Sequence, residues 1–188
     1  SRYLPYHQGG TFDNSPYFMR SSMTTGIACE FAFLSGVIAP ENEKRAMDIV
    51  CDENYTISDV SHFGDIDPQI IEKSMEEALS LREYWKGNFT ALTPPSDKRD
   101  EIVAYTLHLP CEDRGVILVF RREEAAASFV IKLSDVRPDT EYTLKLSDED
   151  YATTEMTVDG KSLKEGLSVN IEKAPGSLLI FYKAENID

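Results

Sequence analysis

The sequence predicts an α+β protein, with a mostly helical segment at residues 1–93 followed by an antiparallel β-sandwich at residues 94–188. Three observations carry this prediction. Before residue 93, apolar residues recur at steps of three and four. After residue 100 they recur at every second position. Residues 93–100 between the two patterns form a polar connector that contains two prolines.

The clearest helical pattern lies directly before this connector. Asp67 and Pro68 are typical of an N-cap and a first helical residue, and Gly87 is typical of a helix stop, so the sequence predicts a helix from Pro68 to Lys86. Weaker patterns predict helices at about residues 24–35 and 40–50, and residues 1–22 are expected to be irregular. The stripe expected to pack on an apolar partner surface is Ile71, Met75, Ala78 and Trp85.

The second half shows about seven short strands at regular spacing. Turn signals separate them, the strongest being Asp159-Gly160, which is typical of a hairpin turn, and Pro175-Gly176. This spacing is typical of a sandwich or a small barrel. The predicted strands are 103–109, 116–120, 128–133, 141–146, 155–158, 167–171 and 177–182.

Composition argues against several classes of partner. The chain has 19 Lys+Arg and 33 Asp+Glu, a net charge of −14, and an acidic surface repels both phosphate backbones and anionic lipids. We therefore predict neither a nucleic-acid nor a membrane partner. The three cysteines, at positions 29, 51 and 111, are widely spaced and predict buried or semi-buried free thiols rather than a disulfide framework or a zinc site.

The sequence offers few candidates for catalytic or metal-binding residues. The three histidines lie near no nucleophile motif; His62 and His108 are expected at the surface, whereas His7 lies in an aromatic, glycine-rich loop. The acidic run 148–150 lacks the spacing of a calcium loop. We therefore predict no metal and no cofactor, and assign no residue of this chain to catalysis.

Four segments, taken together, resemble one enzyme family. They are Leu4-Pro5-Tyr6 with the following Gly-Gly, Tyr17 to Met23, Arg82 to Pro94, and Ala104-Tyr105 with Gly115 to Arg122. They resemble, in matching order, the end of the catalytic barrel and the C-terminal domain of family 36 glycoside hydrolases, the α-galactosidase-like enzymes. The third segment resembles the family's "REYFYGDFYPLTP" stretch, and the fourth its "AYQF…GVVLAFRR" pattern.

This resemblance implies that residues 1–93 are the last elements of a (β/α)₈ barrel. Such a barrel needs about 250 residues, so the chain is expected to be the C-terminal piece of a longer retaining enzyme that cleaves α-linked sugars. The family's two catalytic aspartates lie upstream of this segment, so the piece alone is expected to be inactive. The expected partner is the oligosaccharide substrate of the parent, and self-association through exposed barrel surface is a further possibility.

The resemblance also suggests which residues approach the sugar. It places Tyr6, His7 and Arg20 on the final strands and loops of the barrel, where active sites gather. For Arg20 the alternative is an ion pair with a nearby carboxylate such as Asp13 or Glu30. An alternative for the whole chain is a stand-alone carbohydrate-binding or structural β-sandwich, for which the available aromatic residues are Tyr105, Tyr142, Tyr151, Phe181 and Tyr182.

Overall fold

The computed structural model describes residues 67–94 and 98–185, together with Pro16, Tyr17 and Arg20. The chain folds as two compact units, Ser1–Leu79 and Ser80–Asp188. The helices predicted at residues 24–35 and 40–50 lie outside the described residues, as do Tyr6, His7 and His62. The three described residues of segment 1–22, which was predicted to be irregular, have helical backbone.

Helix α1 spans Pro68–Leu81 and begins where the sequence predicts. The carboxylate of Asp67 accepts a hydrogen bond from the backbone N–H of Gln69 at 2.9 Å, as an N-cap does. The helix ends five residues earlier than predicted, and Tyr84–Lys86 form a separate turn of 3₁₀-helix before Gly87. Trp85 therefore does not continue the phase of α1.

The predicted apolar stripe of this helix is wrong at Met75 and Trp85; Ala78 is partly buried, and the side chain of Ile71 lies outside the described residues. Met75 is 53% exposed and Trp85 is 41% exposed, whereas Ser74, Leu81 and Tyr84 are buried. The buried positions 74 and 81 are seven residues apart, which places them on one face of α1, about one residue away from the predicted stripe. Apolar residues at both 78–79 and 81 make the two faces hard to tell apart by hydrophobicity, and the buried face includes a serine.

The second unit is an antiparallel β-structure with two sheets. The larger sheet has six strands in the order β1-β2-β3-β8-β5-β6, and the smaller consists of β4 and β7. A short helix, α2 (Gly160–Glu165), lies between β6 and β7. The strands are β1 (Asn88–Ala91), β2 (Val103–Leu109), β3 (Arg114–Arg121), β4 (Ser128–Ile131), β5 (Glu141–Ser147), β6 (Thr153–Asp159), β7 (Leu167–Asn170) and β8 (Gly176–Ala184).

All seven predicted strands are present, with ends that differ by at most two residues. Two features were missed. Strand β1 pairs with β2, Asn88 opposite His108, so the sheet begins before the predicted boundary after Thr93. Asp159-Gly160 is not a hairpin turn, because Asp159 caps α2 by accepting a hydrogen bond from Ser162 N–H at 2.8 Å. The same Asx side chain suits either role.

The described chain is therefore mostly β-sheet with a small helical part, as a β-sandwich requires. A mostly helical segment 1–93 is not supported, because the part of it that the structure describes ends in a strand and much of it lies outside the described residues. The division into barrel elements and sandwich remains a prediction.

The core lies between the two sheets. One face of β3, β5 and β8 contributes Ile117, Leu144 and Ile180, and the smaller sheet contributes Ile131 and Val169, all of them buried. The opposite face of the larger sheet is buried too, since every residue of β2 and every residue of β3 between Gly115 and Phe120 is buried. The central strands are therefore covered on both faces.

This two-sided burial overturns the prediction of a surface histidine at position 108. His108 is 4% exposed, and its Nδ1 lies 3.0 Å from the hydroxyl oxygen of Tyr182. The polar phase of β2 points toward the core rather than toward water. The alternation of polar and apolar residues predicted the strand correctly. It did not predict burial of the polar residues, because both faces of this strand are covered.

The burial of Tyr84 and the exposure of Trp85 predict losses of stability of different size for these two adjacent aromatic residues. Tyr84→Ala removes a buried ring and should cost about 3 kcal/mol or more in the free energy of unfolding. Trp85→Ala removes a largely exposed ring and should cost less than about 1 kcal/mol. Urea unfolding of both variants measures these losses. A larger loss of unfolding free energy for Trp85→Ala than for Tyr84→Ala would support the stripe predicted from the sequence.

Candidate functional site

The structure places one of the three predicted sugar-site residues. Arg20 is fully buried, and its guanidinium forms a two-point ion pair with Glu77 of α1, Nε–Oε2 at 2.8 Å and Nη2–Oε1 at 2.7 Å. Glu77 was not among the expected partners, and Asp13 and Glu30, which were, lie outside the described residues. A bidentate pair orients the guanidinium plane firmly.

The best-defined polar centre of the second unit is Arg114, the first residue of β3. Its guanidinium donates to both carboxylate oxygens of Glu83, at 2.7 and 2.8 Å, and to the hydroxyl of Tyr84 at 3.0 Å. A second carboxylate, Glu112, accepts from Arg114 Nε at 2.7 Å. The guanidinium carbon also lies 5.1 Å from the centre of the Tyr84 ring, within cation–π range.

An open groove of about 1140 Å³ lies beside this centre on the larger sheet. Phe181 lies on its floor, 5.7 Å from the Tyr84 ring, and is partly exposed. The remaining polar residues of the groove include Thr143, Lys145, Lys183 and Glu185. Cys111, in the turn before β3, also lines the groove; its thiol is free as predicted but exposed rather than buried, and Cys29 and Cys51 lie outside the described residues.

The third and fourth motif segments contact each other through this part of the fold. Phe89 of the third stacks on Tyr105 of the fourth at 5.4 Å between ring centres, and Glu83 and Tyr84 of the third bind Arg114, the residue directly before Gly115. Beyond the end of β1, Thr93 Oγ1 accepts a hydrogen bond from Ala104 N–H at 3.0 Å. The two motifs therefore contact each other where the chain passes from the 3₁₀ turn into the sheet.

The glycine and the arginines of the fourth motif also have structural roles. A Cβ on Gly115 would lie 2.3 Å from the Tyr182 hydroxyl oxygen and 2.6 Å from the backbone oxygen of Leu107, so only glycine fits there. Arg121 donates to the backbone oxygens of Ala125, Ile171 and Glu172 at 2.7–2.9 Å. The neighbouring Arg122 is 2% exposed and donates to the backbone oxygen of Lys98.

A buried polar network joins the β2–β3 turn to β5. The Tyr142 hydroxyl donates to Asp113 at 2.9 Å and accepts from Arg137 N–H at 2.8 Å, and Arg137 Nε donates to Asp113 as well. Asp113 has a φ of 42°, a left-handed conformation that aspartate tolerates better than most residues. These bonds fix the turn from which Arg114 projects.

In every described group with a shifted pKa, the pKa lies further from 7 than the ordinary value of that group does. The Arg114 hydrogen bond lowers the pKa of Glu83, and the Glu83 carboxylate raises the pKa of Arg114. Burial raises the pKa of Tyr84, Tyr142 and Tyr182. A general acid at neutral pH needs a carboxyl with a raised pKa, so this pattern is typical of structural ion pairs rather than of proton transfer.

The acidic run 148–150 is engaged in local bonds. Asp148 accepts from the backbone N–H groups of Asp150 and Ala152, and Asp150 pairs with Lys173 at 2.7 Å. Glu149 accepts from Ser177 N–H at 2.6 Å. Within residues 67–94 and 98–185, together with Pro16, Tyr17 and Arg20, no group of three or more metal-ligating side chains comes together. The same residues include no helix of the length and apolarity that a bilayer crossing requires.

The aromatic residues that a sugar-binding face would need are mostly in the core. Tyr105, Tyr142 and Tyr182 are at most 2% exposed, whereas Tyr151 and Phe181 are partly exposed. These two residues lie on different parts of the unit, Tyr151 before β6 and Phe181 in β8. These five residues therefore do not form a row of exposed aromatic faces on the described surface.

The Glu83–Arg114 pair predicts a small, pH-dependent contribution to stability. Because Glu83 has a lowered pKa in the folded state, the pair stabilises the fold above the ordinary value of 4.5 and loses its effect as pH falls through the lower, folded value. Glu83→Gln should lower the unfolding free energy at pH 7 by less than about 1 kcal/mol, since the carboxylate is half exposed and screened.

Thermal melts of the variant and the parent from pH 7 to pH 3 measure this effect, with Glu141→Gln as the control for an exposed strand glutamate. The difference between Glu83→Gln and the parent should narrow below pH 4.5. A difference that persists unchanged at pH 3 would show that charge is not the cause.

No family model and no curated protein matches the chain. Comparison with solved structures finds a variant of the family 36 α-galactosidase AgaA from Geobacillus stearothermophilus, solved with raffinose, at 16% identity and a TM-score of 0.49. It also finds AgaB from the same organism, at 17% identity, and an α-galactosidase from Lactobacillus brevis, at 13% identity, both with TM-scores of 0.49.

These matches cover 62–65% of this chain but only 16–18% of the length of the solved chains. AgaA and AgaB are family 36 enzymes, and family 36 is the family that the four sequence motifs resemble.

Proposed function

We propose that this chain is the C-terminal portion of a retaining glycoside hydrolase that acts on α-linked sugars, and that its β-sandwich supports a catalytic barrel formed by upstream residues. The carboxylate pair of such an enzyme, about 5–5.5 Å apart in a retaining mechanism, lies in that upstream part. The sandwich contributes stability and position rather than proton transfer.

The observation that carries this proposal is the contact between the third and fourth motif segments. The third segment begins just after α1, becomes the 3₁₀ turn and β1, and is held to the fourth by the Thr93–Ala104 hydrogen bond and by stacking of Phe89 on Tyr105. Two patterns that resemble one family therefore meet in space as well as matching in order.

The direction of the pKa shifts supports an accessory role for the sandwich. The lowered pKa of Glu83, which shares Arg114 with Glu112, keeps this carboxylate ionised near neutrality, so it is not suited to donate a proton to a leaving group. The raised pKa of Tyr84 and Tyr182 keeps these hydroxyls protonated, and they make poor nucleophiles. The chemistry of the parent must then come from residues outside the described ones.

We also propose that Tyr6, His7 and Arg20 contact the sugar or position the loop that does. For Arg20 the support is its two-point pair with Glu77, which fixes the plane of the guanidinium. An arginine held in this way is suited to positioning the loop that carries Tyr6 and His7.

The chain alone should hydrolyse no aryl α-galactoside, whereas the same reading frame extended upstream should. The assay is release of p-nitrophenol, with binding of raffinose to the 188-residue chain followed by titration calorimetry. Turnover by the chain that is lost on a single Asp substitution would contradict the proposal. Binding of raffinose without turnover would favour the stand-alone binding module instead.

In the extended enzyme, Tyr6→Ala, His7→Ala and Arg20→Ala should each lower kcat/KM well beyond twofold. Glu77→Gln is the companion variant, since it weakens the pair while leaving Arg20 in place, and it should lower kcat/KM less than Arg20→Ala does. Values for all three alanine variants within about twofold of the parent, under ~0.4 kcal/mol of transition-state binding, would exclude these residues from the site.

A further inference from the structure

Strand β1 forms one edge of the six-stranded sheet, and among the described residues it pairs only with β2. None of its four residues is buried, whereas every residue of β2 is buried. The 3₁₀ turn Tyr84–Lys86 precedes β1 directly, and we call residues 83–93, which include both elements, the strap. Apart from Tyr84, no residue of the strap is buried.

Two anchors hold the ends of the strap. At its start, Arg114 donates to both carboxylate oxygens of Glu83, at 2.7 and 2.8 Å, and we call this anchor the clamp. At its end, Leu92 N–H donates to the backbone oxygen of Ala104 at 2.8 Å, and Thr93 Oγ1 accepts from Ala104 N–H at 3.0 Å. Because 46% of the Glu83 side chain is exposed, water can replace the clamp at a modest cost in free energy.

The register identifies which backbone groups join β1 to β2. Residues that face each other have numbers that add to 196, as in Thr90 opposite Thr106. The bond from Leu92 N–H to the oxygen of Ala104 follows the same sum. Since opposed pairs in an antiparallel ladder alternate between bonded and non-bonded, the even-numbered pairs are the bonded ones.

This alternation divides the amides of β2 into two sets. The N–H groups of Thr106 and His108 point toward the strap, whereas those of Tyr105 and Leu107 point toward β3 on the other side. Neighbouring residues of one strand therefore report on different contacts. Exchange of the first set requires release of the strap, and exchange of the second set requires separation of β2 from β3.

Opening of the strap breaks only a small part of the fold. It separates the rings of Phe89 and Tyr105, 5.4 Å apart between centres, and the rings of Tyr84 and Phe181, 5.7 Å apart. The pairing of β2 with β3 and the core between the two sheets stay in place. A segment that buries few apolar residues opens at a lower free energy than the whole domain does.

We propose that the strap is a conformational device that opens and closes as one unit, fastened by the clamp, while the rest of the sandwich stays folded. Glu83 and Tyr84 both line the groove beside Arg114, so opening removes one wall of this groove and uncovers Phe181. The device is independent of the proposed function, because every contact that carries it lies within the second unit.

Native-state hydrogen exchange of the whole chain at pH 7, resolved at single amides by NMR, tests the opening. After correction for intrinsic rates, the amides of Thr90, Thr106 and His108 should exchange at least about tenfold faster than those of Tyr105 and Leu107. The reason is that release of the strap exposes only the first set. Equal protection of the two sets would overturn the proposal.

The variant Glu83→Gln tests whether the 3₁₀ turn and β1 open together. Weakening the clamp should speed exchange at Thr90 and Thr106 about two- to fivefold, because both ends belong to one unit. Glu141→Gln changes an exposed glutamate of β5 and should leave these two rates as they are. Exchange at Thr90 that does not respond to Glu83→Gln would show that the clamp and the strand open separately, and it would overturn the proposal.

A core substitution separates local opening from unfolding of the whole domain. Ile180, in β8, is fully buried in the core, and Ile180→Val removes one methylene there. This variant should speed exchange at Tyr105 and Leu107 about two- to tenfold and leave Thr90 and Thr106 unchanged. Equal acceleration of both sets would mean that the strap opens only when the whole domain unfolds, which contradicts the proposal.

Discussion

The central strands of the larger sheet are covered on both faces, and most features of the second unit follow from this constraint. Residues of both phases in β2 and β3 are buried, so polar side chains there must find partners inside the protein. His108 and Thr106 share the hydroxyl of Tyr182 for this reason, and Gly115 leaves the space that this hydroxyl occupies. Water does not reach the buried residues of these strands.

Polar groups with a defined geometry are therefore concentrated at the ends of the strands. Arg114 stands where β3 begins and holds Glu83, Tyr84 and Glu112, while Arg121 stands where β3 ends and holds three backbone oxygens of neighbouring loops. One strand thus holds the residues of the 3₁₀ turn region at one end and the loops at the other.

The distribution of charge separates these structural pairs from the outer edge of the sheet. Glu83, Glu112 and Asp113, beside the central strands, are paired with arginine, whereas β6 carries two carboxylates and no basic residue. The arginine pairs are partly shielded from salt where they are partly buried.

The sequence by itself determined the strand pattern, the N-cap at Asp67 and the similarity of four segments to one family, because these depend on local spacing and residue type. Tertiary structure alone decided which face of each element is covered. That is why His108 is in the core, why Trp85 is exposed, and why Glu77 is the partner of Arg20 across 57 positions of sequence. Periodicity indicates that a strand or helix has two kinds of face, but only packing determines what lies against each face. Pairing with β2 likewise makes a strand of β1, which periodicity did not predict.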